Sequence, residues 1–226
     1  LYKSTCFFTI LYDIMKTQCT GNFLCEDIMK KDRSLLNLPK EYTEVKPIDL
    51  KKDKETKLAK GITSVVTAIA LFIIGYLIVP FSLIHYGEFF LFRVSRYLVC
   101  FVIFLIFALI IVHELIHGFF FKLYSGEKVN YGFTGKRAYA GCKAYFEKNP
   151  FLIITLSPVI LLSTLLLFAS IFLPIEWFWR IHILQIVNFW IANGDFHTAI
   201  FLRKLPSDTL IQDTGYSITF YSKIKK

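Results

Sequence analysis

The chain has 226 residues, 55% of them hydrophobic, with 24 Phe, 12 Tyr and a formal net charge of +9. That apolar content exceeds the usual share of a soluble domain and is gathered into long runs, which excludes a simple soluble globule and indicates a membrane protein. The basic residues flank those runs, where they mark a cytosolic face, so nucleic acid is not an expected partner.

The five cysteines, Cys6, Cys19, Cys25, Cys100 and Cys142, form no C-x-x-C pair. A thiolate zinc site is therefore not expected, and reduced thiols are. Leu1 stands first and Met15 is a candidate initiator. The apolar stretch 6–12 is too short to span a bilayer and has no small-residue cleavage site after it, so it does not read as a signal peptide.

Residues 1–60 read as a cytosolic amino-terminal segment, polar and broken by Pro39 and Pro47. Within it, residues 41–50 alternate weakly, as a short strand would, and residues 51–60 form a basic, helical lead-in to the membrane. Residues 61–205 then carry four apolar runs, at about 62–84, 97–121, 151–174 and 177–202, each long enough to cross the hydrocarbon at about 1.5 Å per residue. Between the second and third runs, Val129, Tyr131 and Phe133 alternate, as do Tyr139, Gly141, Lys143 and Tyr145. A hairpin turning near Thr134-Gly135-Lys136 fits that pattern.

The third run contains Ser157-Pro158, a kink at which side chains or neighbouring helices must satisfy the freed backbone. The fourth carries Arg180, His182, Gln185, Asn188, Asn193, Asp195 and His197, too many polar groups to face lipid. Residues 206–226 read as a polar cytosolic tail. The expected fold is an all-α membrane protein: four transmembrane helices with a small cytosolic β-hairpin between helices two and three. Lys and Arg number twelve before the first run, six between the second and third and five after the last, against Arg93, Arg96 and Arg180 on the other side. That asymmetry predicts a multi-pass protein of the cell membrane with both termini cytosolic.

The chemistry sits in His113-Glu114-Leu115-Ile116-His117, the H-E-x-x-H pattern. On a helix, residues four apart share one face, so two imidazoles can grip one metal ion while the glutamate serves as general base toward a metal-activated water. These three are the only charged or imidazole side chains between Tyr97 and Phe121. A catalytic zinc needs a third protein ligand. Across the four runs the carboxylates are Glu114 and Asp195, and His117 and Asp195 both lie about 7–12 Å inside their cytosolic boundaries along straight helices. His182 would lie near the opposite surface. His197 competes with Asp195, since a residue two positions along a helix points about 200° away and only a break near Asn193-Gly194 would let both ligate. Asp195 is favoured, because a lone carboxylate in a span needs a partner more urgently than a neutral imidazole. His197 is then a substrate-contacting or ligand-supporting group. Asn188 and Asn193 are candidates for orienting substrate or an oxyanion.

The motif His113-Glu114-Leu115-Ile116-His117-Gly118, followed later by Asn193-Gly194-Asp195, resembles the site-2-protease group of intramembrane metalloproteases. The layout from about Lys40 to Arg203, with Ser157-Pro158 in the third run and Gly194-Asp195 in the fourth, more closely resembles a family of bacterial membrane zincin peptidases. The resemblance implies Zn²⁺ on His113, His117 and Asp195 and catalysis through Glu114; the membrane setting itself makes a membrane protein or peptide the expected substrate and the lipid bilayer the expected surroundings. The chain lacks the longer Asn-Pro-rich form of the third-ligand motif and a PDZ-like domain, so substrate and regulation do not carry over. The competing readings are a metal or proton transporter using the same His, Glu and Asp, and a non-catalytic metal-binding scaffold. The first should have polar groups spaced across the membrane, and the second has no need of Glu114.

Overall fold

The computed structural model describes residues 34–44, 54–80, 96–135 and 138–223. In chain order they form β1 (Ser34–Leu35), β2 (Tyr42–Glu44), α1 (Lys54–Ile78), α2 (Arg96–Ser125), β3 (Val129–Phe133), β4 (Ala138–Cys142), β5 (Tyr145–Glu147), α3 (Lys148–Phe172), a 3₁₀ turn (Ile175–Trp177), α4 (Phe178–Ile191), α5 (Asn193–Lys204), β6 (Leu210–Asp213) and β7 (Ile218–Lys223). Two units emerge, a helical one of Asp49–Glu114 and Thr155–Lys204 and a sheet-bearing one of Leu1–Ile48, Leu115–Ile154 and Leu205–Lys226.

In the helical unit, the stretches Leu58–Ile78 and Ile103–Ser125 and the helix Lys148–Phe172 are long and apolar enough to cross a membrane, the latter two running on into the sheet-bearing unit. The shortest, at 21 residues, reaches roughly 30 Å at 1.5 Å per residue. Their outward side chains are large and apolar: Leu165, Leu167, Phe168, Ile171 and Phe172 of α3 are all exposed. The polar groups turn inward. Trp179 Nε1 donates to the Val79 carbonyl (3.0 Å) and His182 Nε2 to the Leu71 carbonyl (2.8 Å), fastening α4 to α1. Gln185 and Asn188 of α4 both donate to Ser163 Oγ of α3, at 2.7 and 3.0 Å.

The expected fourth continuous span is not formed. α4 has 14 residues, about 21 Å of helix, and ends at its cap residue Ala192 (φ −73°, ψ −1°). α5 then starts afresh, with the amides of Asp195 and Phe196 both turning back to the Ala192 carbonyl, at 2.9 and 3.0 Å. Asn193 donates from Nδ2 to the Lys60 carbonyl (2.7 Å), a bond that seats the first turn of α5 on α1.

The sheet-bearing unit corrects the all-α expectation outright. Its five-stranded antiparallel sheet has the order β1-β5-β6-β7-β2, and β3 and β4 pair separately. The fold is mixed α/β, with five α-helices and two sheets among the described residues. The hairpin is present as β3–β4, with Phe133 opposite Ala138, but ends at Cys142; Tyr145 belongs to β5 of the other sheet. Of the weakly alternating stretch 41–50, Tyr42–Glu44 is a strand and residues 45–50 lie outside the described residues. Residues read as a plain tail supply β6 and β7. Phe146, Ile211 and Phe220 stand side by side across β5, β6 and β7, and all three are buried. Phe121, from the end of α2, lays its ring against Phe146 (5.4 Å) and Phe151 (6.5 Å), so the sheet and the helix share one aromatic core.

This packing makes a checkable distinction within the carboxy-terminal residues. Ile211→Ala should lose about 2–5 kcal/mol of stability, the cost of emptying a filled core site. Ser207→Ala, at an exposed turn position, should stay within about 0.5 kcal/mol of wild type. Denaturant unfolding in detergent measures both.

Candidate metal centre

Nothing in the sequence interrupts α2 before its motif: from Tyr97 to His117 it contains neither Gly nor Pro. It ends where Gly126 takes a positive φ of 69°, a conformation that suits glycine, with its N–H on the Lys122 carbonyl at 2.8 Å. The helix is unbroken across the motif, so His113 and His117 stand one turn apart on one face, with Glu114 beside the first.

His113 is 2% exposed. Its Nε2 lies 3.0 Å from Asp195 Oδ2, which the first turn of α5 presents. His113, His117 and Asp195 form a group able to hold a metal ion, their ligand atoms within 4.8 Å of one another. The donor set suits zinc. Two imidazoles and a carboxylate are its usual partners, and a tetrahedron with ~2.0 Å legs has edges of about 3.3 Å, close to the His113–Asp195 separation. His117 makes a second anchoring contact: its Nδ1 lies 2.9 Å from the Ile154 carbonyl. A carbonyl only accepts, so Nδ1 carries the proton and Nε2 keeps its lone pair for a ligand.

Residues 106–210 match a protein-family model described as "Putative zincin peptidase". The match supports a zincin-like family and a zinc metallopeptidase. It spans a little under half of the chain and takes in His113, Glu114, His117 and Asp195. Neither the curated proteins nor the solved structures contain a match. The likeness to the site-2-protease group rests on the motif residues alone.

The remaining candidates are engaged elsewhere. His197 Nε2 lies 3.0 Å from Thr63 Oγ1, so its ring faces α1 rather than His113. Burial and the nearby Lys60 both push its pKa below the ordinary histidine value, which favours the neutral ring. Asn193 also meets Thr63 (3.2 Å). Asn188 is fully buried and bound to Ser163, and His182 is held by Leu71.

One participant was missed in the sequence. Gly118, directly after His117, is covered by the phenol of Tyr131 from β3, and a Cβ there would overlap the hydroxyl. A glycine interrupting an otherwise strong helix former was the available signal, since it marks a close approach. Gly118→Ala should displace the Tyr131 phenol, the outer end of a half-exposed side chain, so its cost should be small against the helix gain and leave stability within about 1 kcal/mol of wild type. A double-mutant cycle with Tyr131→Ala in thermal unfolding reads the coupling.

Proposed function

We propose that this protein is a membrane-embedded zinc metallopeptidase that hydrolyses peptide bonds near the cytosolic face. His113, His117 and Asp195 hold Zn²⁺ and Glu114 is the catalytic base. The observation that carries this reading is the approach of Asp195, on a helix that restarts after Ala192, to His113 of the H-E-x-x-H helix. Bound zinc supplies Lewis acidity and acidifies a water toward neutral pH. Glu114 follows His113 directly on the helix, where its carboxylate accepts the proton of the attacking water and returns it to the leaving amine. Asn193 and His197 act indirectly, by holding the first turn of α5, and with it Asp195, against α1 through Lys60 and Thr63.

Three apolar helices support membrane embedding. The large sheet draws its strands from before α1, from between α2 and α3, and from after α5, which supports placing those three segments on one side of the membrane. They are also the Lys- and Arg-rich segments, which favours the cytosolic side. The substrate in this reading is a membrane protein or peptide. A peptide bond inside a helix is shielded by its own hydrogen bonds, so the substrate must be extended before attack. The hairpin strand β3 is paired only with β4 among the described residues, and its other edge offers a template for an extended chain.

Glu114→Gln should retain zinc and lose hydrolysis by at least ~10²-fold, because the shape of the site persists without its base. His113→Ala, His117→Ala and Asp195→Ala should each lose zinc, while His197→Ala keeps it. Metal analysis beside a peptidase assay checks the set; zinc retained in Asp195→Ala and lost in His197→Ala would reverse the ligand assignment.

A further inference from the structure

Ser157-Pro158 lies inside α3, yet the helix runs from Lys148 to Phe172 through it. In a regular helix the amide of residue 158 would donate to the carbonyl of residue 154. Proline has no such hydrogen, and its ring crowds the carbonyl four residues back, turning it off the helix axis. Ile154 and Pro158 are both fully buried, so water is not at hand to satisfy the carbonyl. His117 is a donor to it from a neighbouring helix: its Nδ1 lies 2.9 Å from the Ile154 oxygen.

We propose that Pro158 is a positioning residue for the metal centre: by withholding an amide hydrogen from Ile154, it reserves that carbonyl for His117. The reserved bond fixes the His117 ring and its Nδ1–H tautomer, which leaves Nε2 as the coordinating atom. Proline in this role exchanges a helical hydrogen bond for a preset ligand. The buried acceptor is satisfied from outside its own helix, and the imidazole is oriented before any metal arrives. The inference rests on the zinc reading above, but it concerns His117 already in the metal-free protein.

The test compares wild type, Pro158→Ala and a control, Pro150→Ala. Pro150 is as deeply buried but sits in the first turn of α3, where its amide would have no helical acceptor. Zinc affinity is measured by competition with a chelating indicator. The tautomer of His117 in metal-free protein is measured by imidazole ¹⁵N NMR, assigned with His117→Gln. Wild type should show the Nδ1–H form. Pro158→Ala should bind zinc about 10-fold or more weakly, as when a ligand's supporting hydrogen bond is lost, and should show a mixed tautomer. Pro150→Ala should match wild type in both. Equal zinc affinity in Pro158→Ala and wild type, or an Nε2–H tautomer in wild type, would overturn the proposal. If Pro158→Ala does not fold, the same two measurements are made on Pro158→Ser, which also restores the amide hydrogen, and wild-type behaviour there overturns the proposal. Failure of wild type to bind zinc would instead overturn the metal reading, and the tautomer measurement would remain valid.

Discussion

A buried imidazole facing a carboxylate organises this protein. His113 lies almost wholly out of solvent inside an apolar helix, and Asp195 meets it at 3.0 Å. A polar ring buried this deeply is costly unless it is hydrogen-bonded or holds a metal, and the partly buried Asp195 supplies a partner. Much of the surrounding architecture can be understood as the means of bringing the two together. α5 starts after Ala192, and the bonds from Asn193 to Lys60 and between His197 and Thr63 hold its first turns, with Asp195, against α1.

The other half of the motif is fixed from a different direction. α2 continues past His117 and buries Phe121, Leu123 and Tyr124. Ser34 Oγ donates to the Tyr124 carbonyl, and the Phe121 ring joins the row formed by Phe146, Ile211 and Phe220. The sheet therefore does more than cap the chain: it clamps the carboxy-terminal turns of the helix whose preceding turn carries the histidines. A side chain on a rigid element with a supporting hydrogen bond keeps its geometry better than one on a loop, and His117 has both.

What could be read from the sequence follows from how local each signal is. The H-E-x-x-H motif, the apolar helices and the β3–β4 hairpin depend on spacings of a few residues, and periodicity exposes them directly. The proline at 158 also announced itself, as a backbone carbonyl in need of an outside donor. The large sheet did not. Its strands are two to six residues long and come from three segments far apart in the chain, so pairing and not pattern creates them. A signal did exist in Asp213-Thr214-Gly215 between two apolar stretches, where the Asp213 carboxylate accepts from the Gly215 amide at 2.7 Å to form a turn. The break at Ala192 was hidden for the opposite reason. Averaged hydropathy joins α4 and α5 into one apolar run, while the polar residues that open α5 find their partners on α1.

The central claim is that one zinc is held by two imidazoles and a carboxylate. X-ray absorption at the zinc edge of the purified protein tests it most directly. The account predicts a single nitrogen and oxygen shell at about 2.0 Å, with multiple scattering from two histidine rings and no sulfur. A sulfur shell near ~2.3 Å, which would bring in a thiolate such as buried Cys142, or scattering from only one imidazole, would contradict it.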